Sequence, residues 1–258
     1  PAYEQPAAEP ATLPQPGSYA SDDTWLVMLY QDADDKILEQ DIYVDLNEAE
    51  RVGSSDKVRI VAQIDRYQAG YQGDGNWVSA RRYYVTRDND LSRINSQMVQ
   101  DLGEVNMASA QTLVDFTTWA MGTYPADHYV LILSDHGMGW PGGWSDPTAS
   151  GRGGATLPLA SVLGDVLYLN EIDQALGTIR SQTGLDAFEL VGMDACLMGH
   201  VEVLAMLASH ARYAVVSQET EPALGWAYAA FLNELTANPG VSGKELGRFI
   251  VESYIQED

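Results

Sequence analysis

The stretch HYVLILSDHGMGW at residues 128–140 decides the fold. Within its first seven residues, Tyr129 to Leu133 form an unbroken apolar run, the pattern of a strand buried on both faces of a sheet. It ends in Asp135, His136 and Gly137, a polar trio ill suited to a core. ELVGMDACLMG at 189–199 repeats the design, with a buried run that ends in Asp194, Ala195 and Cys196. Further out, similar runs occur as TWLVMLY at 24–30, KVRIVAQI at 57–64 and YAVVS at 213–217. RRYYVT at 81–86 is a sixth strand, joined to the Lys57 run by the turn-rich GYQGDGNW at 70–77, and is expected to form an antiparallel hairpin at a sheet edge.

Segments of helical period separate these runs. Ile37, Leu38, Ile42, Leu46 and Ala49 form one stripe, and Ala110, Leu113, Val114 and Met121 a second. Ile172, Ala175, Leu176 and Ile179 form a third, with Asn170 as its cap. Leu197, Val201, Leu204, Ala205 and Ala208 predict a helix directly after Cys196. Ser242 and Glu245 make a capping box ahead of Leu246, Phe249 and Ile250. Strands alternating with helices are βαβ units, so the expected class is α/β, with a mostly parallel sheet covered on both faces. Residues 137–155, GMGWPGGWSDPTASGRGGA, fit neither pattern. They read as a long irregular surface loop at the carboxyl edge of the sheet, where ligands bind.

Composition narrows the function. The 258 residues carry 37 acids against 14 Lys and Arg, a formal charge of −23, which excludes sequence-independent binding to nucleic acid. No apolar run approaches the ~18 residues of a membrane span. Residues 1–21, rich in proline and poor in aliphatics, read as a flexible N-terminal segment, leaving 22–258 as one domain. The start at Pro1 and the final helix running into the last residues lead us to expect a trimmed piece of a longer protein. The single cysteine, Cys196, cannot make an internal disulfide, so packing must supply the stability.

His136 and Cys196 end two parallel strands that are expected to be neighbours. A lone Cys with a His some tens of residues upstream is a candidate nucleophile with its general base: the thiolate attacks a carbonyl and the imidazole manages the proton. A helix starting at Leu197 would lower the thiol pKa and aim N–H groups at an oxyanion. Gly137, without a side chain, leaves a second N–H open to that oxyanion. The competing assignment for Cys196 is a packed small hydrophobe.

The arrangement resembles the clostripain family of cysteine peptidases in the caspase-like clan. The resemblance runs through TWLVMLYQDADD, DLNEAERVGSSDKVRIVAQIDR, RRYYVT, DLGEVNMASAQTLVDFTTWA, YPADHYVLILSDHGMGW, GMDACLMGHVEVL and SQETEPALGW. It implies a caspase-like three-layer α/β/α sandwich and a His and Cys dyad at His136 and Cys196. It also implies cleavage of polypeptides after Arg, sometimes Lys, with Asp194 helping to form the primary specificity pocket. That role agrees with carboxylate chemistry, since Asp194 would bind a guanidinium bidentately; the alternative is a helix cap. Members often carry a second acid just before the Gly and Trp that match Gly225 and Trp226, where this chain has Leu224. Members are commonly nicked between the His and Cys segments, and Arg152, the one basic residue of the glycine-rich loop, is the expected processing point; otherwise it is an ordinary solvated Arg. With the Pro-rich start, the family also implies a secreted or envelope-exposed bacterial enzyme.

The segment Ser217 to Glu221, with Ser217 and Glu219 foremost, follows a strand beside the Cys196 strand and is expected to line the pocket and pair with extended substrate, with Trp226 either there or in the core. The chemistry needs no cofactor. The resemblance implies Ca2+ as a structural or activating ion; Asp32, Asp34 and Asp35 offer oxygens of the right kind, but Lys36 and Ile37 break the EF-hand pattern, so no ligand set is assigned and the alternative is a solvated helix face and loop. Gly137, Gly139 and Gly142 satisfy GxGxxG, but Pro141 and Pro147 prevent the helix a dinucleotide needs. His128, His200 and His210 read as structural, the last two on the helix after Cys196. The rival to an enzyme is a silent acidic module that holds basic peptides in the same cleft; transpeptidation through the same thioester is a third reading.

Overall fold

The computed structural model describes residues 22–68, 70–148 and 165–257. In chain order the elements are β1 (Trp25–Ala33), α1 (Glu39–Val52), β2 (Val58–Arg66), a 3-10 turn (Asp74–Asn76), β3 (Ala80–Tyr84), β4 (Gln97–Gly103), α2 (Ala110–Thr123) and β5 (His128–Ser134). They continue with β6 (Gly142–Asp146), β7 (Asp165–Tyr168), α3 (Leu169–Thr183), β8 (Phe188–Asp194), α4 (Val201–Leu207), β9 (Ala211–Val216), α5 (Tyr228–Ala237) and α6 (Gly243–Glu257).

The main sheet has the order β4-β3-β2-β1-β5-β8-β9. Strands β2, β1, β5, β8 and β9 run parallel, the five apolar runs of the sequence, and β3 returns antiparallel to β2. Because side chains alternate along a strand, Trp25, Val27 and Leu29 of β1 face a core built with α1, α5 and α6, while Leu26, Met28 and Tyr30 face α2, α3 and α4. The result is a three-layer α/β/α sandwich with the caspase-like arrangement.

Three expectations about strands and loop change. The hairpin is present, but β4 pairs beyond β3 and takes the edge. Its residues QMVQDLG are nearly all exposed and lack the alternation that signals a half-buried strand. At the other edge β9 is solvent-facing, with Tyr213 exposed, since it has one neighbour only. Part of the supposed surface loop is core: Gly142–Asp146 forms β6, pairs with β7 and is buried throughout, with Trp144 fully enclosed. Gly142, at φ +124°, accommodates the turn, and a side chain there would strike the backbone of Leu167 and Tyr168.

Helix ends also moved. Ile37 lies exposed ahead of α1, because Asp35 Oδ1 accepts the N–H groups of Ile37 and Leu38 at 2.7 and 2.8 Å and closes a capping turn. α3 starts at Leu169, with Glu171 reaching back to the Tyr168 N–H, so Asn170 is not its cap. The Ser242–Glu245 capping box forms, Glu245 accepting from Ser242 N–H at 2.9 Å.

Candidate active site

Strands β5 and β8 are hydrogen-bonded neighbours with Ser134 opposite Asp194. The two polar trios that follow therefore emerge side by side at the carboxyl edge, and His136 and Cys196 line one cavity of about 150 Å³. The contact is close. A Cβ on Gly137 would lie 2.1 Å from the Cys196 carbonyl oxygen, so only glycine fits there. The N–H groups of Gly137 and Cys196 have no protein acceptor among the described residues.

The helix expected directly after Cys196 is absent. Leu197 takes φ +62°, the chain turns, and α4 begins only at Val201, with Val203 and Leu207 buried and Val201 and Leu204 exposed. No helix terminus therefore lies at Cys196. The nucleophile loop is held from β9 instead: Leu197 N–H donates to Glu219 O at 3.0 Å and Gly199 N–H to Ser217 O at 2.5 Å. Glu221 N–H points at Cys196 Sγ from 3.3 Å. Ser217 and Glu219 accordingly clamp the loop and close a turn on each other, and the cavity wall is formed by the next residues, Glu221 to Gly225.

Asp35, just beyond β1, was read from the sequence only as a calcium donor. Because β1 lies beside β5, Asp35 Oδ1 stands 3.4 Å from His136 Nε2. This contact raises the imidazole pKa above its ordinary value, against the effect of burial, and the Asp135 charge adds to it. Burial opposes the charge on Asp35, but hydrogen bonds from His136, Leu38 and Ile37 outweigh it and hold the carboxyl below its usual range. Asp135 is buried, accepts Ser145 N–H at 2.6 Å, and is pushed up to about 8 chiefly by burial.

Asp194 lies at the back of the same cavity, where its Oδ2 accepts from Tyr228 Oη at 2.9 Å and from Trp226 N–H at 3.3 Å. Burial outweighs these bonds and carries it to about 6. Two further acids join it. Glu221 is raised to about 8 by burial and by the Asp194 charge, and Asp45 from α1 is raised well above the carboxyl range by the same two causes. Gly225, at φ +65°, approaches both Asp194 and Asp45, and a Cβ there would lie 3.1 Å from an oxygen of each. Trp226 is a core residue: its ring packs under Gly192, and its indole N–H donates to Glu221 at 3.3 Å. Asp45 is 149 positions away from Asp194 in the sequence, and packing of α1 brings the two together.

The remaining histidines are structural. His128 stacks on Trp25 at 4.5 Å and stands 3.7 Å from Glu189, and His210 meets Asp173 at 2.6 Å. His200 precedes α4 and packs against Gly139. Arg152 lies outside the described residues. The metal-competent acids of the described residues, Asp34, Glu104 and Asp146, lie apart from the dyad cavity.

Fold and site together define a caspase-like α/β/α protein with Cys and His at adjacent strand ends and acids behind them. The sequence model of the clostripain family matches residues 29–257, and the chain belongs to that family of cysteine peptidases. Clostripain of Hathewaya histolytica is 28% identical over 198 residues, covering 69% of this chain and 34% of clostripain. A secreted C11 cysteine protease from Bacteroides thetaiotaomicron, solved with an irreversible peptide inhibitor, superposes with a TM-score of 0.64 at 20% identity, over 91% of this chain and 58% of that one. An inactive zymogen C11 protease from Parabacteroides distasonis gives 0.65 at 18%, over 92% and 59%. The chain thus spans about a third of clostripain and under three fifths of these two structures.

Proposed function

We propose that this chain is the catalytic core of a cysteine endopeptidase that cleaves after Arg or Lys. One observation carries the reading: a single cavity holds the thiol, the imidazole and four acids, three of which, Asp45, Asp194 and Glu221, form no ion pair with a basic side chain among the described residues. Asp45 Oδ1 and Glu221 Oε2 are buried without a hydrogen-bond partner, acceptors suited to the fork of a guanidinium. They supply from α1 and from the β9 side the charge that Leu224 does not.

Cys196 Sγ attacks the scissile carbonyl carbon, and the carbonyl electrons move onto oxygen, which the Gly137 and Cys196 N–H groups receive. Collapse breaks the C–N bond as protonated His136 gives its proton to the leaving amine. Water then adds to the acyl-thioester and loses a proton to His136, and the C–S bond breaks to free the acid and restore the thiolate. Asp35 is a positioning residue that orients the imidazole and favours its protonated form.

Self-cleavage after Arg152 and export of the enzyme complete the proposal; the first rests on the position of Arg152 between His136 and Cys196, the second on the secreted relative. Fluorogenic substrates with Arg, Lys or Ala before the cleaved bond test it with wild type and Cys196→Ala, and intact mass reports processing. Turnover of the Arg or Lys substrates that is lost in Cys196→Ala supports the reading. Binding of basic peptides without turnover, in intact and processed chain alike, would replace it with the silent binding module. An intact mass that stays single-chain in wild type as in Cys196→Ala would end the processing claim.

A further inference from the structure

We infer that Trp140, with Val201 and Leu204 of α4, forms a subsite for apolar side chains on the leaving side of the cleaved bond, an inference that rests on the peptidase reading above. The acidic cavity and this patch belong to opposite faces of the sheet edge. Asp194 lies four residues after Leu190 on β8 and points with it toward the layer of α1, α5 and α6, where Ile42 and Asp45 of α1 help to wall the cavity. Trp144, Met198 and Val203 anchor the segments after His136 and Cys196 in the other layer. A basic side chain in the cavity holds the acyl half of a substrate on the α1 side. His136 gives its proton to the leaving amine, so the leaving half starts at His136 and runs away from Glu221–Gly225, over the residues that follow the imidazole.

Those residues form a closed hairpin. Trp144 N–H donates to His136 O at 3.0 Å, Met138 N–H to Gly142 O at 2.9 Å and Gly142 N–H to Gly139 O at 3.0 Å, which places Trp140 at the tip. Gly139, at φ +74°, is buried, and a Cβ there would lie 3.0 Å from the His200 ring. The hairpin therefore runs along the loop that carries the nucleophile, Gly137 against Cys196 and Gly139 against His200. Trp140 and Val201 are the next residues beyond that contact, 65% and 74% exposed, and Leu204 follows Val201 on the same face of α4, also exposed. The other five tryptophans are buried or half-buried. An indole fixed in water by a closed turn, beside two exposed aliphatic side chains, gains most from an apolar partner that removes it from solvent. Trp140 stands four residues past His136, at most ~13 Å along the chain, so an extended substrate brings the second or third residue beyond the cleaved bond to the indole.

Fluorescently labelled peptides with Arg before the cleaved bond, and either Phe or Ala at the second and third positions after it, test the subsite by anisotropy on the full chain as Cys196→Ala, where binding is read without turnover. The Phe peptide should bind about tenfold more tightly than the Ala peptide. Adding Trp140→Ala, a change at an exposed side chain, should remove the difference, and Trp140→Phe should keep most of it. Equal affinity for the two peptides, or a difference that persists in Trp140→Ala, would overturn the subsite. Hydrolysis of an Arg methyl ester by the wild type, whose leaving methanol does not extend to Trp140, reports the dyad alone. Its failure would strike the peptidase reading, and the binding comparison would still decide the subsite.

Discussion

Two buried acidic regions at the carboxyl edge of one sheet are neutralised in opposite ways. At the end of β2, Arg66 is buried and donates from Nε to Glu39 Oε1 at 2.8 Å, its guanidinium packed over Tyr43, Tyr71 and Trp77. Beyond β5 and β8, Asp45, Asp194 and Glu221 share a cavity with the dyad and form no ion pair with a basic side chain among the described residues. Where the fold requires only closure, the chain contributes its own guanidinium. On the peptidase reading, the second set of carboxylates is left to be matched by a basic guest, at a cost in stability without it.

The largest break is Cys196→Ala, expected to lower kcat/KM for an Arg substrate by about three orders of magnitude or more while basic peptides still bind. Arg66→Met should cost about 3–5 kcal/mol in urea unfolding, by stranding buried Glu39, and leave the Arg over Ala preference unchanged. Asp194→Asn should lower kcat/KM for Arg substrates by about 2–4 kcal/mol in transition-state stabilisation, with little effect on an Ala substrate. An equal loss on both would make Asp194 structural, like Glu39. Glu221→Gln should show the same selectivity, about tenfold.

Protonation sharpens the contrast. Asp194 near 6 and Glu221 near 8 titrate above ordinary carboxyls, so their contribution to stability is complete at low pH and is lost as pH rises through those values. The free protein should melt progressively lower from pH 6 to 8, and a basic inhibitor should bind more tightly over that interval with release of protons, measurable in buffers of different ionisation enthalpy. The smallest effect is Asp35→Asn. Removing its contact lowers the His136 pKa, so the alkaline limb of the rate profile should move to lower pH, a shift that simple loss of folded protein does not produce.

The five parallel strands were legible because continuous apolar runs bounded by polar residues have few other uses. That His136, Gly137, Asp194 and Cys196 would meet at one edge of the sheet was legible because each lies at or just past the end of such a run. β4 escaped because an exposed edge strand buries too little to leave a pattern, and β6 because Gly and Pro announce a turn whether or not the segment beyond it is enclosed. The helix after Cys196 failed because periodicity at Leu197, Val201 and Leu204 carries no information about the φ that Leu197 adopts.

By itself the sequence determined the class of fold and the residues able to carry chemistry, since both follow from local pattern and side-chain type. Tertiary structure alone decided which acids serve them. Asp35 and Asp45 are two among 37 acids until strand order and helix packing bring them to His136 and Asp194, because a carboxylate acquires a role only from its dielectric surroundings and the charges within a few ångströms.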